Sequence, residues 1–139
     1  METKPLYTAT AVALGDGRNG RIQSSDGQLD AIVRVPKELG GEGGATNPEQ
    51  LFAAGYAACF HSAMKLVAMQ SKSDTTDSEV VADVSLISAP TGFGLAVQLE
   101  VSLPAMEIEA ARALVEAAHQ VCPYSNAIRG NVEVTLSVV

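Results

Sequence analysis

Residues 51–69 are the most apolar run of the sequence, and they constrain the fold more than any other segment. The run approaches the roughly 20 residues that span a bilayer. It contains Gly55, His61, Ser62 and Lys65, however, and a charge near a bilayer centre is costly. The reading that fits is a buried helix of a soluble protein. Its start is marked just upstream: Asn47 suits the N-cap, Pro48 the first helical position, and Gln50 completes a capping-box pattern. The helix is predicted to run to about Gln70. Its body is apolar almost all round and rich in small residues, so something must surround it on every side. A chain of 139 residues has little to spare for that, which predicts a dimer.

The other elements are shorter. Residues 7–13 read as a strand, followed by a glycine-rich turn from Gly15 to Gly20. Residues 21–24 and 29–35 flank Asp26-Gly27, a strong hairpin signal. Residues 37–46 hold two glycine pairs and little that packs, and are predicted to be a mobile loop. Residues 80–88 and 95–103 read as strands joined across Pro90-Thr91-Gly92, with Leu95, Val97, Leu99, Val101 and Leu103 on one face. A second helix is predicted over 107–121, where Ile108, Ala111, Leu114, Val115, Ala118 and Val121 form one apolar stripe. Cys122 lies at the end of that stripe, and Pro123 either breaks the helix or opens a short new one. Alternation of Val132, Val134, Leu136 and Val138 with polar residues predicts a last, half-buried strand. This order of elements predicts an α+β fold with antiparallel sheet, formed by residues 1–139 as one domain or one half of a tightly knit dimer.

The net charge of −7 argues against nucleic acid or an anionic membrane as partner, since both recruit clustered Lys and Arg. The N-terminal residues lack a basic segment followed by an apolar one, so a cytoplasmic location is expected. In that compartment the two cysteines, Cys59 and Cys122, are not expected to form a static disulfide. They are either two unrelated buried thiols or a redox pair.

Cys59, His61, His119 and Cys122 have the inventory of a zinc site. Geometry opposes it, because Cys59 and His61 are two residues apart on a helix and point about 200° apart. The same angle opposes a Cys59–His61 nucleophile–base pair. Cys59 sits mid-helix in apolar surroundings, where burial raises a thiol's pKa, and the helix N-terminus is about three turns away. A reactive Cys59 therefore needs a cation from elsewhere. Arg18, in the glycine-rich turn, is a candidate, and Glu49 in the first turn of the Cys59 helix could hold it. Read without further information, the favoured account is that Arg18 is a solvated turn residue and Glu49 a complement to the helix dipole.

The stretch from Asn47 through Pro48, Glu49, Gly55 and Tyr56 to Cys59-Phe60 resembles the first cysteine motif of the organic hydroperoxide resistance family. Val121-Cys122-Pro123-Tyr124-Ser125-Asn126-Ala127, followed by Arg129-Gly130-Asn131, resembles its second, and Gly17-Arg18-Asn19-Gly20 its arginine loop. A related osmotically inducible subfamily shares the fold and both cysteines. The resemblance spans essentially the whole chain. It implies an intertwined homodimer in which antiparallel sheets wrap long central helices, with two active sites at the subunit interface. It implies that Cys59 is the peroxidatic thiol and Cys122 the resolving thiol, that Arg18 activates the thiolate and that Glu49 orients Arg18. It further implies an oxidoreductase that reduces organic hydroperoxides, fatty-acid hydroperoxides included, in preference to hydrogen peroxide. Dihydrolipoamide or a lipoylated protein is the implied reductant, with no metal or other cofactor. Three rival readings are a broader osmotic-stress peroxidase, a non-catalytic dimer that binds small hydrophobic ligands, and a structural zinc protein.

Overall fold

The computed structural model describes residues 3–139. Met1 and Glu2, where the reading of the N-terminus began, lie outside the described residues. The chain divides into two compact units, the first ending at Leu51 and the second Phe52–Val139.

The first unit is an antiparallel sheet of β1 (Ala11–Asp16), β2 (Asn19–Ser24) and β3 (Asp30–Val33) in that order. β1 and β2 pair from Ala11↔Ser24 to Asp16↔Asn19, so Gly17 and Arg18 alone make the turn. Gly17 has φ +64°, which suits glycine at the first central position of a type II′ hairpin. The predicted strand over 7–13 starts only at Ala11, because β2 ends opposite it at Ser24. The Asp26-Gly27 hairpin forms as its sequence predicts: Ser24 N–H donates to Leu29 O at 2.7 Å and Asp26 Oδ1 accepts from Gln28 N–H at 3.0 Å. The loop over 37–46 carries more order than its glycines predict. It holds a 3-10 turn at Lys37–Leu39, and Gly43 N–H and Arg34 N–H donate to Val35 O and Thr46 O at 2.9 and 3.0 Å.

Helix α1 (Pro48–Ser71) begins where predicted, with Asn47 Oδ1 accepting from Gln50 N–H at 2.9 Å. Removing such a cap costs about 1 kcal/mol. The capping box is only half made, since the Gln50 side chain accepts instead from the Thr46 hydroxyl at 2.8 Å.

In the second unit α1 buries Tyr56, Phe60, Ala63, Met64 and Ala68, positions that share one face at helical spacing. They join Val97, Leu99 and Val101 of β5 (Gly92–Ser102), Leu103 just beyond it, and Ala111, Leu114, Val115 and Ala118 of α2 (Ile108–Val121) in one core. Each large member contributes about 1.5–3 kcal/mol by leaving water. Both predicted stripes are thus seen, although the ends of the α2 stripe, Ile108 and Val121, remain exposed. α1 has the length and apolarity of a membrane-crossing helix, but its buried face is the core of an α+β fold of soluble type. The expectation of cover on every side is not met within the chain: Leu66 and Met69 are 51% and 72% exposed.

The second sheet is ordered β4 (Glu79–Ala89), β5 (Gly92–Ser102), β6 (Glu133–Val138). β4 and β5 form an antiparallel hairpin from Glu79↔Ser102 to Ala89↔Gly92. β6 runs parallel to β5, from Ala96↔Glu133 to Val101↔Val138. This corrects the expectation of antiparallel sheet throughout: the fold is α+β with one antiparallel and one mixed sheet. The physical reason is the connection. Parallel neighbours need a long crossover, and α2 with α3 (Pro123–Ile128) supplies it.

Candidate active site

Cys59 lies midway along α1, and Cys122 is the residue at which α2 ends and α3 begins. Pro123 opens α3 at its first position, where a missing N–H is harmless. This corner brings Cys122 Sγ to 3.8 Å from Cys59 Sγ, with both thiols free. Cys122 is fully buried, whereas Cys59 is partly exposed. The asymmetry suits a thiol that meets substrate and a second that meets only the first.

Three aromatic rings cluster in the same unit. Phe52, Tyr56 and Tyr124 pack with centroids 5.7–6.2 Å apart, mostly edge to face. Gly55 is what lets Tyr124 sit there: a Cβ at that position would lie 2.6 Å from the phenolic oxygen. Tyr124 also bears on the thiol in a way that sequence reasoning missed, because its backbone N–H opposes the rise in the Cys59 pKa. The signal was Pro123, which starts a helix and so leaves the following N–H groups without helical partners. Burial pushes the Cys59 thiol above its ordinary pKa, the Tyr124 N–H pulls it down, and Cys122 adds to the rise. The net direction is up, so this unit by itself does not make Cys59 a strong nucleophile at neutral pH.

Arg18 and Glu49 form a bidentate pair within the first unit. Nη1 donates to Oε1 at 2.7 Å and Nη2 to Oε2 at 2.8 Å. The hydrogen bond from Arg18 holds the Glu49 carboxyl below its usual range against the opposing effect of burial. The side chains are 39% and 17% exposed, so the guanidinium keeps access to solvent while the carboxylate is the more enclosed partner. Asn19 and Arg34, also unforeseen, brace the arginine turn: Val35 N–H donates to Asn19 Oδ1 and Arg34 Nη1 to Gly20 O, both at 3.3 Å.

The histidines go elsewhere. His61 shares a 2.9 Å hydrogen bond with Ser78, and His119 Nδ1 one of 2.8 Å with Ser125. Burial lowers both imidazole pKa values. Among the described residues no three His, Cys, Asp or Glu side chains gather as metal ligands do. Arg129 closes the second motif by donating to His119 O and Asn126 Oδ1 at 2.9 and 2.8 Å.

The family model for OsmC-like protein matches residues 41–137. The chain belongs to the OsmC-like, organic hydroperoxide resistance family. An organic hydroperoxide resistance protein of Xanthomonas axonopodis pv. citri is 54% identical over 137 residues, covering 97% of this chain and 96% of that protein. A solved organic hydroperoxide resistance protein from Legionella pneumophila superposes with a TM-score of 0.93 at 55% identity, covering 97% and 98% of the two chains. OhrB of Bacillus subtilis does so with a TM-score of 0.88 at 45% identity, covering 97% and 100%. Membership of the OsmC-like family, together with the adjacent cysteines, makes this chain an enzyme of thiol-based peroxidase type. Arg18 precedes the stretch that the family model matches.

Proposed function

We propose that this protein reduces organic hydroperoxides, fatty-acid hydroperoxides included, to alcohols in the cytoplasm, and so protects against oxidative stress. The observation that carries the reading is the sulfur pair, one thiol accessible and one buried 3.8 Å behind it. Cys59 thiolate attacks the terminal peroxide oxygen, the O–O bond breaks, and the alkoxide takes a proton and leaves as the alcohol. Cys59 is left as a sulfenic acid, which Cys122 converts to a disulfide before further oxidation. The partly exposed rings of Phe52 and Tyr124 suit an alkyl chain, at roughly 25 cal/mol per Å² of apolar area buried.

The raised pKa of Cys59 calls for a cation, and Arg18 takes that role. Glu49 occupies two of its five N–H donors, leaving three for the thiolate and for the charge developing on the leaving oxygen. Glu49 orients the guanidinium. A dihydrolipoyl dithiol, free or on a lipoylated protein, restores the thiols. One of its sulfurs attacks the disulfide, and its second closes on the first and releases the enzyme. No metal, flavin or haem enters the cycle.

Residues 1–139 act as one peroxidase domain and one half of an intertwined homodimer. The exposure of Leu66 and Met69 on α1 in the second unit supports cover by a second copy, as does, separately, that of Val12, Leu14 and Ile32 on β1 and β3 of the first. The test is steady-state reduction of tert-butyl or cumene hydroperoxide with dihydrolipoamide, with hydrogen peroxide and glutathione as controls. Turnover with the organic peroxide and the dithiol, and little with the controls, is the expected result. No turnover, with Cys59 still reduced after peroxide treatment, would leave the ligand-binding dimer as the better account.

A further inference from the structure

Tyr56 lies three residues before Cys59 on α1, and His119 three residues before Cys122 at the end of α2. The helical register continues to Cys122, whose N–H still donates to Ala118 O at 2.9 Å. Residues three apart share a helix face, so each of these side chains sits one turn before a cysteine and on its side. A single group joins them. The Ser125 hydroxyl is 2.6 Å from the Tyr56 hydroxyl and 2.8 Å from His119 Nδ1. Ser125 and Tyr56 are fully buried. A hydroxyl offers one donor and two acceptor sites, enough for both partners. Breaking the bond to Tyr56 would strand its buried hydroxyl away from water.

We propose that the Ser125 hydroxyl is a positioning group for disulfide formation, setting the separation of Cys59 and Cys122 by tying α1 to α2 one turn before each. The inference rests on the reading of these residues as peroxidatic and resolving thiols. In the step concerned, Cys122 sulfur attacks the sulfur of Cys59 sulfenic acid. The S–S bond forms, the S–O bond breaks, and the hydroxyl leaves as water with the proton of the Cys122 thiol. Cys122 sulfur is oxidised and Cys59 sulfur reduced. The sulfurs start 3.8 Å apart and must close to about 2.05 Å. Over so short an approach, a misplacement of about 1 Å is enough to slow a reaction by orders of magnitude. Peroxide attack needs only the Cys59 sulfur and the peroxide, so it does not depend on the separation that this tie sets. The backbone of α3 holds itself independently through Asn126 N–H to Cys122 O at 2.9 Å and Arg129 N–H to Ser125 O at 3.1 Å.

The experiment follows both steps separately in the full-length protein by stopped-flow mixing with cumene hydroperoxide, with mass spectrometry of the products. The variants are Ser125→Ala, Tyr56→Phe and Ser125→Thr, each checked for a parent-like thermal midpoint. Ser125→Ala and Tyr56→Phe are expected to slow conversion of sulfenic acid to disulfide at least about tenfold, while peroxide attack stays within about threefold. Sulfenic acid becomes trappable, and sulfinic acid appears at a lower peroxide dose. Ser125→Thr, which keeps the hydroxyl, restores the fast second step. A second step at the parent rate in both hydroxyl-deleted variants overturns the proposal, as does an equal slowing of both steps. If the parent itself forms neither sulfenic acid nor disulfide, the underlying assignment of the thiols fails, and the tie fails with it.

Discussion

The two units hold their key residues by opposite means. In the first, Arg18 and Glu49 are fixed by charge and by paired hydrogen bonds at the tip of a hairpin and the start of a helix. Every residue of β1 is exposed. In the second, Cys59 and Cys122 are fixed by the apolar packing of α1, β5 and α2. Charge is kept where water solvates it, and sulfur where water is scarce, because an unpaired charge in the core costs several kcal/mol. Burial preserves the thiol but raises its pKa.

The sharpest break of this comparison is at sulfur. Cys59→Ser is expected to reduce peroxide consumption to background, and Cys122→Ser to allow one oxidation and then stall at sulfenic or sulfinic acid. Mass spectrometry after a single peroxide equivalent reads both. Activity retained in Cys59→Ser would move the nucleophile elsewhere. On the charged side, Arg18→Ala is expected to slow peroxide attack by about 10²–10³ and to shift its pH dependence upward. An unchanged pH–rate profile would show that Cys59 is activated without Arg18.

Stability sharpens the same contrast. Leu99→Ala, in the core, is expected to cost about 2–5 kcal/mol in denaturant unfolding. Leu14→Ala, on the exposed face of β1, is expected to cost under about 1 kcal/mol in a monomer. A cost like that of Leu99 would mean that a second copy covers this face. The smallest effect concerns acid. The folded pKa of Glu49 is depressed, by Arg18 first, so the stability it contributes is present above the unfolded carboxylate value of about 4.3 and is lost as pH falls through the folded one. Glu49→Gln is expected to be less stable than the parent at pH 7 by about 1 kcal/mol or less, with the gap closing as pH drops below about 4. A gap that persists in acid would place the effect in packing rather than charge.

Local signals carried much of this. Asn47 and Pro48 marked the start of α1, Asp26-Gly27 marked a hairpin, and the alternation of Val97, Leu99 and Val101 marked the buried face of β5. Capping, turn geometry and periodicity depend on neighbours in sequence, so they are readable there. The pairing of Arg18 with Glu49 was one of two open readings until the motifs were compared, because nothing local brings a hairpin tip to a helix start 31 residues on.

The sequence by itself determined where most of the helices and strands lie and which face of α2 and of β5 is apolar. The tertiary structure alone decided that β6 runs parallel to β5 and that Ser125 joins Tyr56 to His119. The physical reason is common to both. A period of 2 or 3.6 states which way a side chain points, but is silent on the direction of the neighbouring strand and on which distant atom completes a hydrogen bond. Those follow only once the core has closed and every buried polar group has found a partner.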